Sequence, residues 1–300
     1  MSASAARSSR LATLGLLAVT AVWGSTFVLI KDVVGRMSVV DFLAVRFSIA
    51  AAVMLLLFGR HVARLGRLPL MRGLGLGVLY GVAQWLQTEG LSLTSPSVSG
   101  FVTGMYVVFT PFLSWVLLRQ RMPTVAWAAV ALATVGLGVL ALHGFEVDLG
   151  VWLTLASAGL YALHIIGLSR WSKPDEAFGM SAVQIAGIAL VTLLATVPHG
   201  PSLPPDNAAW LAVLYMALVA GAGAMLMQTW AQAHLPATRA AIVMTTEPVF
   251  AAGFAVLLGV DALTWRMAMG GLMVLGAMYM VELMPRRRGE ASSEALHHEV

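Results

Sequence analysis

The chain contains no cysteine, and only 11% of its 300 residues are charged. The first absence excludes disulfides, thiolate metal sites and cysteine nucleophiles. The second excludes a water-solvated globular domain, in which roughly 25% of residues carry charge. Histidine is scarce too, at seven residues, of which His297 and His298 lie in the C-terminal tail, so a clustered metal or acid–base centre has little to draw on. A phosphate loop is missing: GLGLGVLYG (73–81) lacks the Lys-Ser/Thr ending, and no strand precedes it. The net charge of +4 sits at the ends of apolar runs rather than on one face, so nothing points to nucleic acid. No cofactor, no metal and no enzymatic activity are expected.

What the chain has in abundance is hydrocarbon. Hydrophobic residues make up 59% of it, and the mean hydropathy is +0.85. A bilayer core about 30 Å thick needs roughly 20 mainly apolar residues per spanning helix. Ten runs qualify, near residues 11–30, 39–59, 71–91, 97–118, 123–143, 149–169, 178–198, 208–231, 236–258 and 264–284. The expected fold is therefore an all-α integral membrane protein. Arg7 and Arg10 ahead of an apolar stretch imitate a signal peptide, but the run continues through AVWGSTFVLI without a clean cleavage site, so an uncleaved first helix is expected. Glycine-rich stretches such as GAGA (221–224) and GGLMVLG (270–276) supply smooth faces for close helix approach.

Assigning the linkers alternately to two sides places fourteen Lys and Arg on one side, with both termini, and three on the other: Lys31, Arg36 and Arg266. The positive-inside rule then puts both termini in the cytoplasm of a cell whose plasma (inner) membrane holds the chain.

Sliding the second half over the first reveals an internal repeat. WGSTFVLIK (23–31) falls on YALHIIGLS (161–169) and Arg46 on Gln184, both at an offset of 138. SPSVSGFV (95–102) meets LPATRAAI (235–242) at 140, Pro111 meets Pro248 at 137, and Gly136 meets Gly276 at 140. Five helices per copy is an odd number, so the copies enter the membrane from opposite sides. The predicted organisation is a short tail (1–10), a first repeat (11–143), a second, inverted repeat (149–284) and a disordered cytoplasmic tail (285–300). Inverted repeats are a mark of secondary transporters, whose substrate site lies near the midplane between the halves.

The sequence resembles the drug/metabolite transporter superfamily, specifically its ten-helix EamA type, and within it the YddG-like amino-acid exporters. The resemblance is carried by AVWGSTFVLIK in helix 1, Arg46 in FLAVRFSIAA, the SPSVSGF and LPATRAA helix starts, and TEPVFAAGFAVLLG in helix 9. The first repeat departs from the usual pattern, with Thr110 where many members carry an acid and RQRMP (119–123) where they place a glutamate. The resemblance implies alternating-access export or exchange of small metabolites, most closely amino acids including aromatic ones, with a lipophilic-cation exporter as the alternative. Its partners would be a small solute and the bilayer, and one chain holding both halves is expected to work as a monomer.

Candidate site residues follow from depth. Glu247 is expected at the centre of helix 9, where an ionised carboxylate costs at least ~2.5 kcal/mol and must face the bundle interior or a wet cavity. It would contact protons or a substrate amine, or else partner the groups freed where Pro248 interrupts the helix. Tyr80, Gln84 and Trp85 of helix 3, Thr103 and Tyr106 of helix 4, Tyr161 and His164 of helix 6 and Gln228 of helix 8 complete the expected substrate-binding set, each with core packing as its alternative. Pro111 and Pro248 are expected to form matched hinges or static bends. Arg46 is expected to pair with Glu89 or Asp41. Trp115, Trp127, Trp152, Trp171, Trp210 and Trp265 fall at helix ends and are expected to anchor at the interface.

Overall fold

A computed structural model describes residues 3–94, 96–119, 123–141, 149–198, 200–259 and 263–282. Among the described residues the chain forms ten helices and no strand. The first half holds helix 1 (Ala3–Val34), helix 2 (Val39–Arg64), helix 3 (Arg67–Leu93), helix 4 in two pieces (Pro96–Gly104 and Tyr106–Leu118) and helix 5 (Thr124–Ala141). The second holds helix 6 (Leu149–Trp171), helix 7 (Ala177–Thr196) and helix 8, which runs from Asn207–Ala217 through a π-helical turn, Leu218–Gly223, to Ala224–Gln232. Helix 9, again in two pieces (Ala237–Met244 and Glu247–Leu257), and helix 10 (Trp265–Glu282) complete it. Helices 1, 2, 6, 7 and 8 are each long and apolar enough to cross a membrane. Helix 1 starts at Ala3, well before the predicted residue 11, because ASAAR is built of good helix formers. The predicted tail at 285–300 lies outside the described residues.

The helix ends are specified locally. Ser38 caps helix 2 by accepting from the Asp41 amide at 3.1 Å, and its hydroxyl donates to the Asp41 carboxylate at 2.7 Å. Asp206 caps helix 8 through the Ala209 amide at 2.8 Å and also receives Arg36. The Ala209 amide and then Arg36 hold the Asp206 carboxyl below the ordinary carboxylate range.

The two halves interleave with two-fold pseudosymmetry. Three inter-half contacts pair a helix with its own repeat counterpart: 2 with 7, 5 with 10, and 4 with 9. Most others come in exchanged couples, 3 with 6 and 8 with 1, 3 with 7 and 8 with 2, 4 with 6 and 9 with 1, and helix 9 also touches helix 5. Glycines make the closest crossings possible. A Cβ on Gly77 of helix 3 would meet the Gln184 backbone of helix 7, with Cα at 2.8 Å, and one on Gly136 of helix 5 would lie 2.9 Å from the Gly270 carbonyl of helix 10. Phe42, Phe47, Ile185, Ile188 and Met216 fill the interior, whereas Leu56, Leu57, Leu211 and Leu272 point outward into what a bilayer would occupy.

The structure corrects the expectation of unbroken helices 4 and 9. Helix 4 breaks at Met105 and helix 9 at Thr245–Thr246, so the breaks stand 140 to 141 residues apart. The prolines aligned at 137 are not structural counterparts. Pro111 lies inside Tyr106–Leu118, whereas Pro248 sits in the first turn of Glu247–Leu257, where its missing N–H costs no helical bond. Glu247 is accordingly not mid-helix but in a first turn, where a half-helix favours negative charge.

Candidate functional site

The two helix breaks meet at one buried cavity. Helix 1 contributes Trp23, Thr26, Phe27 and Ile30, helix 2 contributes Arg46, and helix 3 contributes Tyr80, Gln84, Gln87, Thr88 and Leu91. Thr103 and Tyr106 enter from helix 4, Tyr161, His164 and Ile165 from helix 6, Gln228 from helix 8, and Met244 and Glu247 from helix 9. On helix 3 the lining positions recur at four, three, one and three residues, which is one helical stripe. The cavity volume is about 50 Å³. That is room for a few water molecules, each of which needs roughly 10–15 Å³ on this measure.

Three sets of bonds hold the walls. The Tyr161 hydroxyl donates to Gln87 Oε1 at 2.8 Å, and Gln87 Nε2 donates to Thr103 Oγ1 at 3.1 Å, which ties helix 6 through helix 3 to helix 4. Tyr80 packs edge-on against Tyr161 and His164, with ring centroids 5.1 and 4.9 Å away. Gln184 Nε2 donates to Thr229 Oγ1, so its Oε1 must accept from His164 Nε2 at 2.9 Å. This places a proton on Nε2 and leaves Nδ1 with no partner among the described residues. At the π turn the Met216 and Ala220 carbonyls accept from Arg46 Nε at 3.1 Å and Trp23 Nε1 at 2.9 Å.

At the helix 9 break the work falls to the threonines of MTTEP. Thr245 Oγ1 donates to the Ile242 carbonyl at 2.6 Å, and Thr246 Oγ1 lies 2.8 Å from the Val243 carbonyl and 2.9 Å from Thr20 Oγ1. The carbonyls at the break are therefore served without Glu247. Its carboxylate, on a residue 7% exposed, accepts no hydrogen bond from any described residue.

Eight of the nine expected binding residues thus line one cavity: Tyr80, Gln84, Thr103, Tyr106, Tyr161, His164, Gln228 and Glu247. Trp85 does not. One residue on from Gln84, it turns about 100° round the helix to the outer face, where it is 36% exposed and its indole donates to Glu89 Oε1 at 3.1 Å. Arg46 also departs from expectation, pairing with neither Glu89 nor Asp41. Among the described residues the ion pairs are those of Arg36 with Asp32 and Asp206. Ten lining residues stand outside the expected binding set, and Arg46 and Gln87 are the longest polar side chains among them. Both carry a signal: Arg46 is a lone charge in an apolar helix, and Gln87 completes the polar stripe of helix 3.

Outside this cavity, a depression of about 710 Å³ lies between helices 3, 4 and 6, lined by Leu76, Leu79, Leu117, Leu163 and Ile166, with Arg72 stacked 5.4 Å from the Trp171 ring at its rim. Leu76 is one turn from Tyr80. At the opposite end of the bundle, Lys31 Nζ donates to the Leu91, Ser92 and Thr94 carbonyls at 2.9, 3.2 and 3.0 Å, fastening helix 1 to the end of helix 3.

A duplicated multi-pass helical bundle with a polar cavity between its halves is the architecture of a membrane transporter. The chain belongs to the EamA-like transporter family, whose model matches twice, at residues 10–142 and 148–283. The family is one of transporters, not enzymes. The chain is similar to an uncharacterized transporter of Archaeoglobus fulgidus, at 30% identity over 279 residues, 91% of this chain and 86% of that one. It shares its fold with a protein of known crystal structure, at a TM-score of 0.75 and 19% identity, across 91% of this chain and 96% of the other.

Proposed function

We propose that this EamA-family transporter is a secondary carrier that exports or exchanges small organic metabolites, amino acids including aromatic ones, by alternating access around the midplane cavity. One observation carries this reading. The cavity lies where the two halves meet, at both helix breaks, and the buried Arg46 Nη1, Tyr106 hydroxyl, His164 Nδ1 and Gln228 Oε1 have no partner among the described residues. Unsatisfied buried polar atoms are costly, and four around one cavity suit a polar ligand. The closed cavity has room for only a few waters, so substrate enters when the halves part. The Lys31 fastening at one end and the depression beside Leu76 at the other suit a carrier closed on one side. The charge bias of the linkers assigns the depression to the cytoplasmic side of the plasma membrane, with both termini cytoplasmic. A single chain holding both halves functions as a monomer.

The test is counterflow in proteoliposomes. Vesicles loaded with unlabelled phenylalanine should accelerate uptake of labelled phenylalanine, and Glu247→Gln should slow it at least tenfold without lowering the melting temperature, because the carboxylate supports no hydrogen bond. Acceleration by a lipophilic cation and by no amino acid would instead support the second reading, which Glu247 beside Trp23, Tyr80 and Tyr106 favours. An aromatic-lined acid suits a cation.

A further inference from the structure

A basic and an acidic side chain face the cavity without meeting. Arg46 is 4% exposed; its Nε is committed to the Met216 carbonyl, while its buried Nη1 has no partner among the described residues. Glu247 faces the same space from helix 9, and its carboxylate accepts from nothing described. No side-chain oxygen of Glu247 comes within 4.0 Å of an Arg46 nitrogen. Buried ions in hydrocarbon usually find partners. Here Arg46 is tied to the Met216 carbonyl just before the π turn of helix 8, and Glu247 opens the helix piece whose first turn holds Pro248. The Phe42 and Phe47 rings, 5.8 and 4.8 Å from the guanidinium carbon, pack against Arg46 and help fix its direction.

The remaining unsatisfied groups sort by polarity around this pair. Gln228 reaches toward the helix 9 break, with Nε2 4.0 Å from Met244 Sδ, and its bare Oε1 adds an acceptor to the carboxylate. At that pole the site offers acceptors; at the Arg46 pole it offers a donor and positive charge. Tyr80, Tyr106 and Tyr161 line the same cavity.

We infer that Arg46 and Glu247 form a clamp for a zwitterion, in which Arg46 Nη1 receives the α-carboxylate of an amino acid and Glu247, with Gln228 Oε1, receives its α-ammonium. This deepens the reading of the cavity as an amino-acid site and rests on it. Such a ligand supplies each buried ion with its missing partner. A molecule lacking either charge leaves one of them unpaired in a desolvated site, which discriminates far more strongly than a missing apolar contact. The tyrosine rings then meet the side chain of the substrate.

The experiment compares phenylalanine with its methyl ester, which lacks the carboxylate, and N-acetylphenylalanine, which lacks the ammonium, as counterflow substrates of the wild-type chain and of Arg46→Gln and Glu247→Gln. In wild type, both analogues should exchange at least a hundredfold less efficiently than phenylalanine. In Arg46→Gln the preference for acid over ester should collapse while the preference for free amine over acetyl persists, and in Glu247→Gln the reverse should hold. Arg46→Lys, which keeps the charge, should restore the preference for the acid; this guards against misfolding caused by loss of the Met216 contact. Analogues that exchange as well as phenylalanine in wild type, or variants that scale all three substrates equally, would overturn the clamp and leave the carrier reading intact. Absence of counterflow with any amino acid would overturn both.

Discussion

At the scale of single residues, the segment MTTEP divides its labour between structure and site. Breaking a helix inside a membrane exposes carbonyls that no water can reach, and each unmet group is costly. Thr245 and Thr246 return hydroxyls to the Ile242 and Val243 carbonyls one turn back, so the break sustains itself. Thr245→Val and Thr246→Val should each lower stability by about 1 kcal/mol, the net worth of one intramolecular hydrogen bond. Thermal unfolding in detergent checks this. The contrast with Glu247→Gln matters: if the glutamine variant melts lower than the valine variants, the carboxylate braces the break after all. Glu247 was legible in the sequence as a buried acid. Its freedom was not, because that depends on where the helix stops, and a hydrophobic run reads the same whether one helix or two half-helices fill it.

At the scale of elements, the two prolines that look alike in sequence behave differently. Pro248 occupies a first turn, where a backbone donor would have no helical acceptor, so Pro248→Ala should change stability by no more than about 0.5 kcal/mol. Pro111 lies in the sixth position of Tyr106–Leu118 and removes the donor that the Val107 carbonyl would otherwise receive. Pro111→Ala should restore that bond and raise the melting temperature by several degrees; equal responses at both sites would reinstate the prolines as matched hinges. The helix 3 stripe was readable from Tyr80 and Gln84 because they are four apart. Trp85 misled by being polar at one atom and adjacent in sequence, although adjacent helical residues point about 100° apart.

At the scale of the whole molecule, composition and repeat spacing disclosed ten helices and a duplication, because membrane crossing imposes a length and hydropathy on each segment. They could not disclose how tightly the halves interlock, since that rests on backbone crossings where a side chain is missing. Gly77 is the strictest: a methyl there would lie 2.8 Å from Gln184 Cα. Gly77→Ala should cost about 1–3 kcal/mol, the range for overpacking, and reduce the yield of folded protein as judged by size-exclusion chromatography. A fully stable, active Gly77→Ala variant would show that helices 3 and 7 can part freely. The crossing has a counterpart on the other side of the pseudo-two-fold axis, where Met216 of helix 8 faces Arg46 of helix 2. There the halves differ by the π turn, which fits one more residue into a turn than an α-helix does. The repeat offset is 138 before this turn, at Arg46 and Gln184, and 140 after it, at Pro96 and Pro236. One residue of that drift is the widened turn itself. The extra residue thus reads as an insertion that two once-equivalent halves did not share, and it sits beside the Met216 carbonyl that receives Arg46 of the first half.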